Sequence, residues 1–122
     1  MTKQELEDRI VQFAARCLKV CGALPAQKAG SSSMADQLFR SSTSVAANYA
    51  EASEAESRKD FVHKLKVAMK ELSETRVWLK ICAESGYVPK SRLEEIVGEA
   101  EELSRILAAS IITAREKMKQ QR

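Results

Sequence analysis

Apolar residues recur at alternating intervals of three and four along almost all of this 122-residue chain. That spacing places them on one face of an α-helix, and breaks in it predict helices over about residues 3–24, 33–54, 58–85 and 91–119. The chain has only four Gly and two Pro, too few for a turn-rich β-protein. Because short connections make neighbouring helices antiparallel, the sequence predicts an all-α, antiparallel up-down-up-down four-helix bundle forming one domain, residues 1–122.

Each predicted helix is preceded by a Ser or Thr with an acidic residue three positions later. The four pairs are Thr2/Glu5, Ser33/Asp36, Ser57/Asp60 and Ser91/Glu94. In this pattern the hydroxyl accepts a hydrogen bond from a backbone N–H of the first turn, and the acid favours the positive end of the helix dipole. Gly86 is placed to end the third helix and Pro89 to precede the fourth.

Charge and cysteine content narrow the protein class. The 20 basic and 17 acidic residues leave a net charge of +3, which does not by itself imply nucleic acid. The chain starts with polar and charged residues, unlike a signal peptide, and no stretch approaches the roughly 20 apolar residues that span a bilayer. An odd number of cysteines argues against a disulfide framework. We therefore expect a cytoplasmic protein without a membrane partner.

No metal or catalytic site follows from the residues. Cys17 and Cys21 could chelate a soft metal if His63 or Cys82 completed the site, but His63 would lie roughly 13 Å from Cys17 along the bundle axis. One histidine is too few for a di-iron bundle. The chain also lacks a nucleophile elbow, a P-loop and a dinucleotide motif. We expect buried free cysteines, no metal, no cofactor and no enzymatic activity.

A basic stripe lies on the predicted third helix, where four side chains share one face. They are Lys59, His63, Lys66 and Lys70. Such a stripe could follow a phosphate backbone, so we interpret it as a candidate nucleic-acid-binding surface. Two alternatives stay open: a solvated face, or ion pairs with acids of the second helix such as Glu51 and Glu54. No aromatic platform interleaves the stripe, so base stacking is not expected.

Polar residues line the predicted contact between the second and third helices. If the connection turns near residue 55, antiparallel pairing brings several of them together. The opposed residues are Arg40 with Lys70 and Glu71, Ser44 with Lys66, and Glu51 with Lys59. An Arg40–Glu71 ion pair or a Glu51–Lys59 ion pair would fix the register of the two helices. We interpret this set as a structural clamp rather than a ligand site.

Several apolar residues point away from the main stripes. They are Val11 and Leu18, then Val77, Trp78 and Ile81, and finally Ile106 and Ile112. A single bundle cannot readily bury all of them on its inner face. We therefore predict self-association, with Val11, Leu18, Val77, Trp78 and Ile81 in the interface.

The second and third helices also carry a more specific signal. Residues 37–52 (QLFRSSTSVAANYAEA), Asp60-Phe61, residues 64–75 (KLKVAMKELSET) and Trp78-Leu79 resemble the bacterial four helix bundle protein family. That family includes proteins encoded by intervening sequences inside large-subunit ribosomal RNA genes. It is similar to the accessory variability protein of diversity-generating retroelements. In the family pattern Asn48 recurs together with Arg40, Ser44, Glu51 and Glu71, so we include it in the predicted clamp.

The resemblance implies small bundles that assemble into pentameric rings, often with a basic surface. The retroelement relative binds a reverse transcriptase and nucleic acid. Our hypothesis is therefore a non-enzymatic, ring-forming bundle, a homo-oligomer and by resemblance a pentamer, that binds nucleic acid, RNA above all, or a nucleic-acid-processing protein. The alternative is a protein-binding adaptor or scaffold oligomer that uses the same assembly without nucleic acid.

Overall fold

A computed structural model describes residues 1–121 of the chain, and Arg122 lies outside the described residues. Its helices are α1 (Lys3–Ala23), α2 (Ser31–Ser53), α3 (Arg58–Glu84) and α4 (Lys90–Gln120). Between residues 1 and 121 there is no β-strand. α1 and α3 each pack against α2 and α4 but not against each other, so they lie diagonally opposite. The predicted all-α, antiparallel four-helix bundle is confirmed.

Two of the predicted helix starts are present. The Glu5 N–H donates to Thr2 Oγ1 over 3.0 Å at the start of α1. The Asp60 N–H donates to Ser57 Oγ over 3.1 Å at the start of α3. Gly86 follows α3 with a φ of +75°, a left-handed conformation that commonly ends helices.

The other two predicted starts are wrong. α2 begins two residues before Ser33 and α4 begins one residue before Ser91, and neither has a side-chain cap. Gly30 precedes α2 with a φ of +79°, which a glycine adopts freely. The helix therefore begins at Ser31, before the predicted cap at Ser33. Pro89 precedes α4 with a φ of −56°, close to the helical value, and the helix follows at once.

The core is a single apolar cluster running the length of the bundle. Its largest fully buried side chains include Ile10, Phe13, Leu38, Leu65, Leu72, Leu79, Leu103 and Leu107. All four helices contribute, as expected for amphipathic helices that each bury one stripe. None of the helices within residues 1–121 combines the length and apolarity needed to cross a lipid bilayer.

One polar contact lies inside this core. The hydroxyls of Ser41 on α2 and Thr75 on α3 are hydrogen-bonded over 2.8 Å, and both residues are fully buried. Thr75 Oγ1 also lies 2.8 Å from the carbonyl oxygen of Glu71. Since a buried hydroxyl without a partner is costly, this pair favours the one register in which the two residues meet.

We expect the variant Thr75→Val to lose about 1 kcal/mol of unfolding free energy, because valine keeps the shape but removes the buried hydrogen bond between the helices and leaves Ser41 Oγ only its 3.5 Å contact with the Leu38 carbonyl. Urea unfolding followed by Trp78 fluorescence measures the loss. Thr43→Val is the matched control, since Thr43 Oγ1 bonds only within its own helix, to the carbonyls of Phe39 and Arg40. An equal loss in both variants would contradict a special role for the buried pair.

α1 and α4 contact each other least among the neighbouring helices, and ion pairs span their seam. Two Arg9 nitrogens donate to the two carboxylate oxygens of Glu99, each over 2.7 Å. Arg16 lies 3.7 Å from Glu95 in a more exposed pair. The hydrogen bonds from Arg9 lower the pKa of Glu99 below its ordinary value, although partial burial opposes this shift.

A lowered pKa in the folded state means that Glu99 stabilises the fold above its ordinary pKa of 4.5, and that this contribution is lost as pH falls further. We expect Glu99→Gln to cost about 1 kcal/mol at neutral pH, after discounting for partial exposure. The variant should also lose less stability than the wild type on acidification below pH 4.5.

Thermal unfolding by circular dichroism at neutral pH and in acid measures both effects. Glu102→Gln is the control, because Glu102 pairs with Arg105 within α4. The assignment fails if Glu99→Gln has the same acid dependence as the wild type.

Candidate nucleic-acid interface

The basic stripe lies on the outward face of α3. Lys59, His63, Lys66 and Lys70 are all exposed. Within residues 1–121 none of the four makes an ion pair. Along the helix axis the stripe extends about 17 Å at 1.5 Å per residue. Its positive charge is therefore not neutralised by acids of the same chain.

A groove between α3 and α4 runs beside this stripe, with a volume of about 600 Å³. Its cationic or titratable members are His63, Lys66, Lys70 and Arg115, and no acidic residue lines it among those described. Its apolar floor includes Met69, Ile111 and Ile112. The arrangement can hold an anion by charge while apolar parts of the same ligand rest on the floor.

Sequence reasoning missed Arg115, which the structure places opposite the lysines. No spacing rule links a residue near the end of α4 to the first turns of α3. The link arises only from antiparallel packing of the two helices, which brings Arg115 into one groove with His63 and Lys66. The basic surface therefore belongs to two helices rather than one.

The predicted pairing of stripe lysines with α2 does not occur at Lys59. Glu51 instead lies 3.5 Å from Lys64, on the side of α3 that faces α2. The residues joining α2 to α3 shift the opposed positions along α3, so Lys64 replaces Lys59 as the partner. This leaves the outward cations free for an external ligand.

Arg40 is the centre of the contact between α2 and α3. Its guanidinium bonds Glu71 over 3.0 Å and also bonds Glu74. The same side chain donates to Gln37 over 3.2 Å. The hydrogen bonds that Arg40 donates to Glu74 and Glu71 raise the pKa of Arg40. The antiparallel pairing predicted from the sequence included the Arg40–Glu71 contact. It did not include Glu74, which lies one turn further along α3.

Ser44 and Asn48 contact each other rather than α3. The Asn48 amide donates to the Ser44 hydroxyl over 3.0 Å and to the Ser44 carbonyl over 2.9 Å, all within α2. The structure therefore brings Arg40 and Glu71 together across the seam, and it leaves Ser44 and Asn48 as a pair on one helix.

Residues 3–109 match the protein family described as 23S rRNA-intervening sequence protein. The chain belongs to that family. It is similar to a crystallised protein of unknown function from the S23 ribosomal protein family of Bacteroides thetaiotaomicron VPI-5482. The two are 32% identical with a TM-score of 0.78, and the match covers 87% of this chain and 97% of the other. No curated protein matches the chain.

The family resemblance based on α2 and α3 is thus confirmed, and the match to 23S rRNA-intervening sequence proteins extends it over all of α1 and over α4 as far as residue 109. Arg40, Glu51 and Glu71 of the resemblance are the residues that tie α2 to α3 here. The residues on which the resemblance rests therefore include those whose contacts set the register between α2 and α3.

This family member exposes apolar side chains on two diagonally opposite helices. Val11 and Leu18 on α1 are 51% and 52% exposed, and Val77 and Ile81 on α3 are 45% and 42% exposed. Because α1 and α3 lie on opposite sides of the bundle, the two apolar surfaces face away from each other. Trp78 is half-buried: it flanks the buried stripe through Thr75 and packs partly against the core.

Two further exposed apolar residues were not assigned to the interface from sequence. Phe39 is 50% exposed on α2, on the side that faces α1, since Ala35 one turn earlier accepts a hydrogen bond from Cys21. Phe39 thus extends the α1 surface. Ile112 is 58% exposed and belongs to the α3–α4 groove instead.

The three thiols of this family member are free, with Cys17 and Cys82 buried and Cys21 partly buried. Burial raises the pKa of Cys17 to about 12, and it also raises the pKa of Cys21 and Cys82. The thiols are therefore protonated near neutral pH and poor nucleophiles. Residues 1–121 hold no cluster of His, Cys, Asp or Glu suited to a metal ion.

Proposed function

We propose that this chain is a non-enzymatic, ring-forming bundle that binds RNA through the groove between α3 and α4. The observation that supports RNA binding is the unpaired basic rim, in which Arg115 of α4 joins the lysines of α3 without a lining acid. Phosphate contacts of this kind supply most of the sequence-independent affinity for nucleic acid. Because the chain belongs to a family named for a ribosomal RNA intervening sequence, we propose RNA rather than DNA as the nucleic acid that it binds.

The proposed ring is a homo-oligomer of protomers joined head to tail, and the family resemblance favours five of them. Its support is the pair of apolar surfaces on α1 and α3, which differ in composition and face opposite directions. A contact between two different surfaces can repeat from one copy to the next and forms a ring when the rotation between copies closes, whereas a self-complementary surface ends in a dimer. The interface consists of Val11, Leu18 and Phe39 of one protomer against Val77 and Ile81 of the next.

The outward face of α3 accommodates both roles because it is divided along its length. Its first half carries the cations from Lys59 to Lys70, and its second half carries Val77 and Ile81. Subunits can therefore join at one end of the helix while RNA binds at the other. Free thiols agree with a reducing cytoplasm as the proposed compartment.

The double variant Lys66→Glu/Lys70→Glu tests the RNA role. We expect at least about a tenfold loss of affinity for a single-stranded RNA probe at low salt. The slope of log affinity against log salt should fall by about one for each phosphate contact removed. Fluorescence anisotropy over a salt series measures both quantities.

The control is Lys28→Glu/Lys80→Glu, which changes net charge equally at exposed positions outside the groove. Equal losses in the two double variants would show a response to net charge alone and would reject the groove. If the wild type does not bind RNA, the adaptor function takes precedence. Pull-down after nuclease treatment then identifies a protein partner.

Single variants test the head-to-tail ring. We expect Leu18→Glu and Ile81→Glu each to abolish assembly, because each places a charge in an apolar contact. Mixing the two variants should give a complex of two chains, since each retains the surface that the other lacks. Light scattering after gel filtration should give about five times the 13.6 kDa chain mass for the wild type.

Ile112→Glu serves as the control, because Ile112 is equally exposed but belongs to the RNA groove. It should leave the oligomeric mass unchanged. A monomeric wild type, or an Ile81→Glu variant that assembles alone, would contradict the proposed ring.

A further inference from the structure

The helices of the bundle are unequal in length, and the difference falls at one end. α1 has 21 residues and α4 has 31, which is a difference of about 15 Å along a helix axis. The C-terminal end of α1 lies beside the N-terminal end of α4, because Val20 and Ala23 line the same depression as Val88 and Leu93. The last turns of α4 therefore extend beyond the start of α1.

A notch of about 730 Å³ occupies the position that α1 leaves open. Phe61 of α3 and Ile106 and Ala109 of α4 form its apolar part, and the connection between α2 and α3 closes one end. In a four-helix bundle this position is the site of the fourth helix. The ten residues by which α4 exceeds α1 correspond to about three turns of helix, and the apolar floor matches one face of an amphipathic helix.

The rim of the notch is mainly positive. Lys3, Arg58 and Lys117 line it, against a single described acid, Glu56. The Lys3 ammonium lies 5.6 Å from the centre of the Phe61 ring and forms no ion pair within residues 1–121. The N-termini of α1 and α3 lie at the same end of the bundle, and their dipoles add to this positive potential.

We propose that the notch is a docking site for an acidic amphipathic helix of another protein. Apolar side chains of that helix would pack on Phe61, Ile106 and Ala109 in place of the missing turns of α1. Carboxylates along its flanks would pair with Lys3, Arg58 and Lys117. A helix is favoured over RNA here because the empty position is bounded by helices at bundle spacing.

The notch is separate from the RNA groove. α4 directs Ile106 and Ala109 into the notch, whereas Ile112 and Arg115 line the groove on another side of the same helix. A bound partner helix and a bound RNA therefore occupy different surfaces. The docking site goes beyond the proposed RNA role and does not depend on it.

The test uses two fluorescein-labelled, end-capped peptides of about 14 residues, each with Leu and Ala along one face. One carries Glu on both flanks and the other carries Lys at those positions. We expect the acidic peptide to bind with a Kd on the order of 10 µM and the basic peptide at least tenfold more weakly. Fluorescence anisotropy measures both.

Ala109→Trp should weaken the acidic peptide at least tenfold, because the indole fills the notch. Ala47→Trp is the matched control, an exposed alanine on α2 outside the notch, and should have no effect. Lys117→Glu should weaken the acidic peptide and strengthen the basic one. Lys66→Glu/Lys70→Glu should leave peptide affinity unchanged. Amide shifts on peptide binding should concentrate in residues 52–61 and 106–117.

Four outcomes would overturn the proposal. They are no binding of the acidic peptide, equal binding of both peptides, equal effects of the two tryptophan variants, and amide shifts centred outside the notch. A changed oligomeric mass for Ala109→Trp would instead assign the notch to a contact between copies of the chain. Displacement of the acidic peptide by single-stranded RNA would assign it to nucleic acid.

Discussion

A hydroxyl pair without access to water, Ser41 against Thr75, lies within the most extensive helix contact of the bundle. An apolar seam tolerates some sliding of one helix along another, whereas this buried hydrogen bond forms in one register and is lost in any other. At the surface, the ion pairs of Arg40 with Glu71 and Glu74 form in the same register of α2 and α3. Buried and surface contacts therefore agree on how far α3 is displaced relative to α2, and the remaining packing follows from that displacement.

The register of α3 determines what its outer face can do. With Thr75 turned inward, Val77 and the cations from Lys59 to Lys70 must point outward, because all of them share one rigid helix. The same displacement turns Lys64 toward Glu51 and removes it from the free cations. One internal contact thus decides which lysines are neutralised within the chain and which stay available to a ligand.

The parts of this structure that depend on local sequence could be predicted, and the parts that depend on packing could not. Apolar periodicity was sufficient for four antiparallel helices, and the hydroxyls of Thr2 and Ser57 mark true helix starts. Ser41 carries no such local signal, since its partner lies 34 positions away in another helix. Arg115 was missed for the same reason. The half-burial of Trp78 also depends on packing, because its sequence position only flanks the buried stripe.

The weak contact between α1 and α4 sets an order in which the bundle can open. The contacts of α2 with α1 and α3, and of α3 with α4, are broad, whereas α1 meets α4 over a short seam with ion pairs at its edge. Local opening in proteins starts where buried apolar contact is least. The α1–α4 seam is therefore the place where the bundle opens first, while the broader contacts of α2 with α1 and of α3 with α4 hold. Because the notch lies at the end of this seam near the N-terminus of α1, opening of the seam would lengthen the notch.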